Sequence, residues 1–298
     1  MLRRELLKSL AVGAGMAAMP QVRAHTPEGR QLDARRYIHT RLAALEKRHG
    51  GRLGVAMLDT ASGRQIGYRA DHRFLMCSTH KVLVVAALLA RVDRGIEDLQ
   101  RRVIFDHQAL LDYAPVTRRH VGAPGMTLEA LCEAAITLSD NTADNLLLNA
   151  LGGPDAVTAY ARSLGDRVTL LTRTEPALNL ALPDDPSDTT TPQAMLSDLR
   201  DLLIGEALHP ASRQRLLGWM RACQTGSRLL RAGLPRAWRC ADKTGRGAAN
   251  EIHDIGLIEP PHGKPVLVCA YYADSIAPEA ARESVLADVG RLAVTLRG

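Results

Sequence analysis

Cys77-Ser78-Thr79-His80-Lys81 runs directly into Val-Leu-Val-Val-Ala-Ala-Leu-Leu-Ala, an apolar stretch without a polar residue before Arg91. This stretch predicts a helix that is buried on most sides and ends near Gly95. Because residues three apart share a helix face, Ser78 and Lys81 should lie one turn from each other. A serine hydroxyl needs a base to become a nucleophile, and a lysine in a dry pocket can serve as one. The pair favours nucleophilic catalysis, although ordinary helix starts show the same spacing.

His80 lies inside this motif and could suggest a serine–histidine pair. It is two residues from Ser78, however, so its side chain should point to another face of the helix. We therefore expect His80 to have a structural role.

The first 24 residues differ in kind from the rest of the chain. Arg3, Arg4 and Lys8 precede an apolar run of small residues that is too short to span a bilayer, and Ala24 follows a cleavage-like sequence. The segment predicts an export signal, and its two adjacent arginines are typical of the twin-arginine type. We expect a periplasmic protein without stable membrane association after cleavage near Ala24.

Composition and charge narrow the class of protein. The chain has 298 residues, of which 46% are hydrophobic, so it can form a large core. Half of the formal net charge of +6 belongs to the first 24 residues, and no basic run with interleaved aromatic residues is present. Nucleic acid is therefore not an expected partner.

Five cysteines are present, which leaves at least one free thiol, and their spacing suggests no metal site. We expect most of them to be core residues; they are Cys77, Cys132, Cys223, Cys240 and Cys269.

The order of predicted elements indicates one sheet interrupted by helices. A helix over 31–48 precedes a hairpin formed by 53–59 and 65–68, and beta patterns return at 239–244, 251–258 and 265–272. Residues 78–221 have an almost entirely helical pattern, and a last helix covers 279–296. Strands at both ends need each other to complete a core, so the helical part should be an insertion.

Three further motifs carry groups suited to acyl-transfer chemistry. Ser139-Asp140-Asn141 closes a predicted helix, where such residues commonly act as caps, but Ser139 could also relay a proton and Asn141 could bind a substrate amide. Lys243-Thr244-Gly245 lies on a predicted strand, where Lys243 offers positive charge and Gly245 leaves room for a ligand backbone.

The last motif is Arg173-Thr-Glu175-Pro-Ala-Leu-Asn179, in a long irregular loop. The Glu175 carboxylate and the Asn179 amide could share one water, with the carboxylate as its base. Arg173 and Asp188 lie near the two ends of this loop, and a salt bridge between them would clamp it, although an exposed pair would contribute little.

Taken together, these four motifs resemble those of the class A serine beta-lactamases. The resemblance extends from about Leu32 to the C-terminus. It implies an α+β fold, an α/β/α sandwich with an antiparallel sheet plus an all-helical domain, as in penicillin-binding transpeptidases. We expect the α/β domain to comprise 25–76 and 222–298, and the helical domain to comprise 77–221 with an omega-type loop at about 172–188.

The resemblance also implies a role for each motif residue. Ser78 would attack the lactam carbonyl, and either Lys81 or Glu175, through a water shared with Asn179, would be the base for acylation. A glutamate at the position of Glu175 serves as the base for deacylation. Ser139, helped by Lys243, would pass the proton to the lactam nitrogen.

The remaining implied roles concern the substrate. The backbone N–H groups of Ser78 and Arg246 would form the oxyanion hole. Thr244 would bind the substrate carboxylate, Asn141 the side-chain amide, and Tyr113 would form a wall at the entrance. The resemblance implies no metal or cofactor, a small beta-lactam as the partner, and a monomer.

Some positions depart from the family pattern. Arg246 replaces a small or hydroxyl residue, while arginines that relatives use for the substrate carboxylate fall at Ile252 and Glu283. We hypothesise that Arg246 supplies that charge; a merely solvated side chain is the alternative. A bridge from Cys132 should be absent because its partner position is Val85. Cys77 resembles a cysteine of carbapenem-hydrolysing relatives, but its partner position is Gly247.

Two other functions share part of this motif set. A penicillin-binding DD-peptidase has the Ser78–Lys81 and Lys243–Gly245 motifs but lacks the Glu175–Asn179 water site. A non-catalytic penicillin sensor would need a retained membrane segment or an output domain. The motifs therefore favour a beta-lactam hydrolase over both.

Overall fold

A five-stranded sheet brings the two ends of the chain together, in a computed structural model that describes residues 27–182 and 184–297. The predicted export signal lies outside the described residues. The strands are β1 Arg52–Asp59, β2 Gln65–Tyr68, β3 Phe74–Leu75, β4 Arg102–Val103, β5 Met126–Thr127, β6 Thr189–Thr190, β7 Arg239–Arg246, β8 Ile252–Glu259 and β9 Val266–Ala273. The helices are α1 Pro27–His49, α2 Lys81–Asp93, α3 Leu128–Thr137, α4 Asn141–Leu151, α5 Pro154–Ser163, α6 Pro192–Leu203, α7 Pro210–Arg221 and α8 Glu279–Thr295.

The strand order of the main sheet is β2-β1-β9-β8-β7, and every neighbouring pair is antiparallel. The predicted hairpin is present, with Val55 opposite Tyr68. β1 pairs along its whole length with β9, from Arg52 opposite Ala273 to Asp59 opposite Val266. The prediction that the two ends of the chain form one antiparallel sheet around a helical insertion is confirmed.

The two faces of the sheet pack against different helices because successive strand residues point to opposite sides. In β9, Val268 and Tyr272 belong to the core under α1 and α8, whereas Cys269 and Tyr271 belong to the core shared with the helical insertion. α6 contacts β1 and β9 on the second face. The division into the two domains given above stays a prediction.

Helix α2 is the centre of the helical part, as its apolar sequence predicts. Residues 81–89 are all buried, and the helix contacts α3, α4, α5 and α7. Gly95, with a φ of +69°, follows its end and adopts the left-handed conformation that glycine tolerates best. The element that carries Lys81 is therefore held on all sides.

The insertion is less uniformly helical than its pattern predicts. Within it, β4 pairs with β5, and β6 pairs with β3 just before the nucleophile motif. Ser78 lies in a 3-10 turn, Cys77–His80, and α2 begins only at Lys81. Cys77, the first residue of this turn, has a φ of +44°, which lies outside the range of both the 3-10 helix and the α-helix, so the backbone changes direction there.

All five cysteines are buried free thiols, so the prediction of core cysteines is confirmed and no disulfide links the described residues. No helix in the described ranges combines the length and apolar character required to cross a membrane.

Candidate active site

The turn that carries Ser78 is held between the sheet and the helical part. The Met76 backbone N–H donates to the Asp188 carbonyl at 2.9 Å, which ties the turn to the end of the long loop. β7, at the edge of the sheet, passes so close that a Cβ on Gly245 would lie 3.0 Å from the Met76 carbonyl oxygen and 3.2 Å from the Cys77 Cβ. Glycine at 245 therefore allows the strand to lie against the turn Cys77–His80, named here the nucleophile turn.

Lys81 is fully buried and directs its ammonium at groups from three segments. Its Nζ donates to the Ser139 carbonyl at 2.9 Å and to Asn141 Oδ1 at 2.6 Å. It also lies 3.3 Å from Glu175 Oε1 and 3.4 Å from Ser139 Oγ. An ammonium has three hydrogens to donate, so these acceptors fit the protonated form of the lysine.

The Ser139–Asn141 motif serves both as a helix cap and as part of the site. Asp140 is the N-cap of α4 and accepts from the Ala143 N–H at 2.9 Å. Its carboxylate also accepts from the backbone N–H groups of Val116 and Thr117. The motif thus combines capping with a place in the candidate site, because Asp140 forms the cap while its neighbours Ser139 and Asn141 face Lys81.

Lys243 approaches the same serine from the sheet. Its Nζ donates to Ser139 Oγ at 3.0 Å and to the Thr244 carbonyl at 2.8 Å. Burial lowers the pKa of Lys243 to about 8, and the positive charge of Lys81 acts in the same direction. The Ser139 hydroxyl therefore lies between two lysines, a suitable place for a proton relay.

Glu175 is held by two asparagines. Asn145 forms a pair of hydrogen bonds with the Glu175 backbone, donating to its carbonyl at 2.9 Å and accepting from its N–H at 3.0 Å. Asn179 Nδ2 donates to Glu175 Oε2 at 2.7 Å. Glu175 Oε1 and Asn179 Oδ1 are buried and have no hydrogen-bond partner among the described residues. Both oxygens are therefore left without a protein donor, and the water that they would share stays a prediction.

The predicted clamp across the long loop is present. Asp188, fully buried, accepts from the Thr172 and Arg173 backbone N–H groups and pairs with the Arg173 side chain. Arg173 Nη2 also donates to the Leu180 carbonyl at 2.9 Å. The pair is thus more than the exposed ion pair that was the alternative, since it joins both ends of the loop.

A cavity of about 300 Å³ opens beside these groups. Tyr113 is half exposed at its wall, and Thr244 is held by Thr225 through a hydroxyl–hydroxyl hydrogen bond of 2.5 Å. Thr244 and Arg246, two apart on β7, line the same cavity, as strand alternation requires. The full lining is Ser78, Tyr113, Ser139, Asn141, Thr225, Thr244 and Arg246.

The Arg246 guanidinium is held by acidic partners, so the alternative of a merely solvated side chain is wrong, and its role toward a substrate carboxylate stays a prediction. The guanidinium pairs with Glu279 at 2.5 Å and with the buried Glu283 at 2.7 Å. Arg228 also pairs with Glu283, at 3.1 Å. The two arginines and two glutamates form a charge-balanced rim, which reduces the positive charge that Arg246 can offer to a ligand.

Gly247 faces the Cys77 thiol, at the position where the sequence predicts no bridging cysteine. A Cβ on Gly247 would lie 3.0 Å from Cys77 Sγ, so this glycine is the nearest place for a bridging partner. Glycine there leaves Cys77 as a free thiol.

Sequence reasoning missed several groups. Asn145 and Thr225 were not assigned roles, and Asp144 was not linked to His80. His80, Asp144 and Glu175 offer ligand-type atoms within 4.8 Å of one another, although sequence spacing suggested no such cluster. Only Asn145 had a local signal, since it lies one helical turn after the already suspected Asn141.

Comparison with known proteins shows the family to which the chain belongs. A model of the "Beta-lactamase enzyme family" matches residues 37–296. Beta-lactamase CTX-M-97 of Escherichia coli is 45% identical over 255 residues, which cover 86% of this chain and 87% of the relative. Beta-lactamase L2 of Stenotrophomonas maltophilia is 45% identical over 300 residues and 99% of each chain.

Solved structures agree with these relatives. An ancestral class A beta-lactamase is 58% identical, with a TM-score of 0.84 over 86% of this chain and 98% of that chain. A putative class A beta-lactamase from Rhodopseudomonas palustris is 50% identical, with a TM-score of 0.84 over 87% of this chain and 98% of that chain.

Proposed function

The chain belongs to the class A beta-lactamases and is a beta-lactam hydrolase, and we propose that it opens the lactam ring through an acyl-enzyme on Ser78. The observation that carries this proposal is the position of Glu175. Its free Oε1 oxygen lies 3.3 Å from Lys81 Nζ, and its other oxygen is held by Asn179. A carboxylate fixed in this way beside the nucleophile turn can activate the water that releases the acyl group.

In the acylation step, the Ser78 Oγ forms a bond to the lactam carbonyl carbon while the lactam C–N bond breaks. Because Lys81 donates to surrounding acceptors, we assign the removal of the Ser78 proton to Glu175 through a water. Ser139, between Lys81 and Lys243, then delivers a proton to the lactam nitrogen and receives one from Lys81 in return. Lys81 recovers its proton from Glu175 across their 3.3 Å contact, so Glu175 is again a carboxylate before deacylation. The backbone N–H groups of Ser78 and Arg246 stabilise the oxyanion.

In the deacylation step, Glu175 takes a proton from a water that attacks the ester carbonyl. The bond between the carbonyl carbon and Ser78 Oγ breaks, and the serine regains its proton. Asn179 orients this water together with Glu175. The product is the ring-opened acid, and the enzyme returns to its initial state.

The substrate lies along β7, whose outer edge is not paired with another strand of the sheet. Thr244 binds the substrate carboxylate with the positive charge of Lys243 behind it, and Asn141 binds the side-chain amide. Gly245 permits close approach of the substrate backbone, and Tyr113 bounds the entrance of the cavity.

The experiment follows hydrolysis of a chromogenic cephalosporin in large molar excess over the purified protein. We expect sustained turnover for the unmodified enzyme. For Glu175→Ala we expect a single equivalent of product, formed slowly because the acylation base is lost as well, with the acyl group then retained on Ser78 and detectable by mass spectrometry. Ser78→Ala is the control and should form no acyl-enzyme. A stoichiometric burst from the unmodified enzyme would instead favour a DD-peptidase or a penicillin sensor.

We further infer that the enzyme works as a monomer in the periplasm after removal of the export signal near Ala24. The intact mass of protein from a periplasmic fraction tests the cleavage, and light scattering during gel filtration tests the monomer. A full-length mass in the cytoplasmic fraction, or a dimer mass, would contradict the respective inference.

A further inference from the structure

His80 and Asp144 form a fully buried pair directly behind the catalytic groups. His80 Nε2 lies 2.8 Å from Asp144 Oδ2, and His80 Nδ1 lies 2.6 Å from the Cys77 carbonyl oxygen. Neither residue lines the substrate cavity. The pair therefore has no part in the steps described above.

The hydrogen bonds determine how many protons this pair holds. A carbonyl oxygen only accepts, so His80 Nδ1 must carry a proton. At 2.8 Å, a second proton must lie between His80 Nε2 and the Asp144 carboxyl group. The pair thus holds two protons, which corresponds to an imidazolium and a carboxylate with no net charge.

The electrostatics agree with this count. Although burial opposes the charged ring, the Asp144 carboxylate raises the pKa of His80 above its ordinary value. Burial likewise opposes the charged form of Asp144, but His80 holds the pKa of that carboxyl below its ordinary value. The charged pair is the form that the site favours.

The pair is surrounded by the groups that perform the chemistry. A carboxylate oxygen of Glu175, from the long loop, lies within 4.8 Å of a His80 ring nitrogen and of an Asp144 carboxylate oxygen. Lys81 on α2 and Lys243 on β7 both act electrostatically on Asp144. The buried Cys77 thiol precedes the nucleophile on the same turn. Loss of one proton from the pair would therefore place a net negative charge beside Lys81 and Glu175.

The pair also joins the segments that carry these groups. Through Nδ1, His80 holds the carbonyl of Cys77, whose φ of +44° requires support from its surroundings. Through Asp144, the turn is tied to α4, where the adjacent Asn145 holds the Glu175 backbone and Asn141 accepts from Lys81.

We propose that the His80–Asp144 pair positions the catalytic groups, because it links the turn that carries Ser78 to α4. Since the pair has no net charge, it also places no unbalanced charge beside Lys81 and Glu175. The proposal rests on the proposed function of Ser78 and Glu175. Neither residue touches the substrate, so both act through Ser78, Lys81 and Glu175.

Two substitutions of Asp144 separate geometry from charge. In Asp144→Asn, the amide can donate to a neutral His80 Nε2, so the link to α4 is kept while the pair no longer titrates. In Asp144→Ala, the link is lost. We expect kcat to fall about 10- to 100-fold in Asp144→Ala with little change in KM, and Asp144→Asn to recover a large part of this loss.

The double variant His80→Phe/Asp144→Ala tests whether a fall in kcat is caused only by loss of stability. Removing both partners of a buried pair is tolerated better than removing one, so its melting temperature should exceed that of Asp144→Ala. We expect its kcat to stay low and its alkaline limb of kcat/KM against pH to differ from that of the unmodified enzyme. Asp198→Ala removes another buried helical carboxylate and should alter stability without altering kcat.

The outcomes test the role of the His80–Asp144 pair separately from the proposed hydrolysis through Ser78 and Glu175. If all Asp144 variants kept the unmodified kcat and pH profile and differed only in melting temperature, the pair would be purely structural and the proposal wrong. Full recovery of kcat in the double variant would also overturn it. Failure of the unmodified enzyme to turn over would instead contradict the proposed function itself.

Discussion

At the scale of single residues, we expect Lys243 to limit the activity at alkaline pH. Burial lowers the pKa of its ammonium to about 8, compared with an ordinary value of 10.5. The group should therefore lose its proton above that pH, and with it the charge that we propose attracts a substrate carboxylate and polarises Ser139.

We expect kcat/KM to decline above about pH 8 because neutral Lys243 binds the substrate less well. The decline should not reflect unfolding through this group. Between pH 8 and 10.5, the unfolded state binds more protons at Lys243 than the folded state, so this group makes stability rise with pH in that window. Steady-state kinetics across pH 6–10 check the prediction, and Lys243→Arg, which keeps its charge, should lack this limb.

Arg246 is a second residue whose effect follows from its partners. Removing its guanidinium leaves Glu279 and Glu283 with Arg228 alone, so the rim becomes negative. Arg246→Ala should raise KM for anionic penicillins by roughly fivefold, whether through direct contact or through the rim charge.

Arg228→Ala separates these two causes, because it removes the same charge from the rim and leaves Arg246 in the cavity lining. An equal rise in KM would indicate the rim charge, and an unchanged KM would indicate direct contact of Arg246 with the substrate. An unchanged KM in Arg246→Ala would show that Arg246 does not take part in substrate binding.

At the scale of elements, the long loop depends on Asp188 more than on any of its exposed residues. Asp188 accepts hydrogen bonds from the Thr172 and Arg173 backbone, pairs with the Arg173 side chain, and offers its own carbonyl to Met76. One buried residue thus holds the Glu175 loop through its carboxylate and contacts the turn that carries Ser78 through its backbone carbonyl.

Asp188→Ala should lower the free energy of unfolding by about 2 to 4 kcal/mol, because it leaves buried N–H donors without an acceptor and the Arg173 guanidinium without its charged partner. We also expect both acylation and deacylation to slow, since Glu175 lies in this loop and is proposed as the base in both steps. Urea unfolding and stopped-flow mass spectrometry check the two effects. Asp185→Ala in the same loop, which removes a local contact to Ser187, is the control and should change neither.

At the scale of the whole molecule, the helical insertion and the sheet share one core. Cys269 and Tyr271 of β9 belong to the same apolar cluster as α2, α3 and α4. The insertion therefore cannot lose its structure without exposing one face of the sheet.

The two tryptophans provide a test of this coupling, because Trp219 lies in α7 and Trp238 packs against the core under α1 and α8. We expect the fluorescence of Trp219→Phe and of Trp238→Phe to report the same unfolding midpoint, and loss of activity to coincide with it. Two separate midpoints would show that the parts unfold independently.

The sequence by itself determined the elements and the catalytic groups whose signal is local. Apolar periodicity predicted α2 and the sheet strands, and the motifs around Ser78, Ser139, Glu175 and Lys243 resemble those of the class A beta-lactamases. Each of these signals lies within a few neighbouring residues, so no knowledge of distant contacts was required.

Only the tertiary structure decided which distant groups meet. The His80–Asp144 pair, the hold of Asn145 on Glu175 and the rim around Arg246 join residues from 30 to 64 positions apart. Such contacts depend on how α2, α4, α8 and the edge strand pack, and local sequence does not encode that packing. Short motifs therefore predict the candidate catalytic residues, whereas the charged groups around them, such as the His80–Asp144 pair and the partners of Arg246, are brought there by the fold.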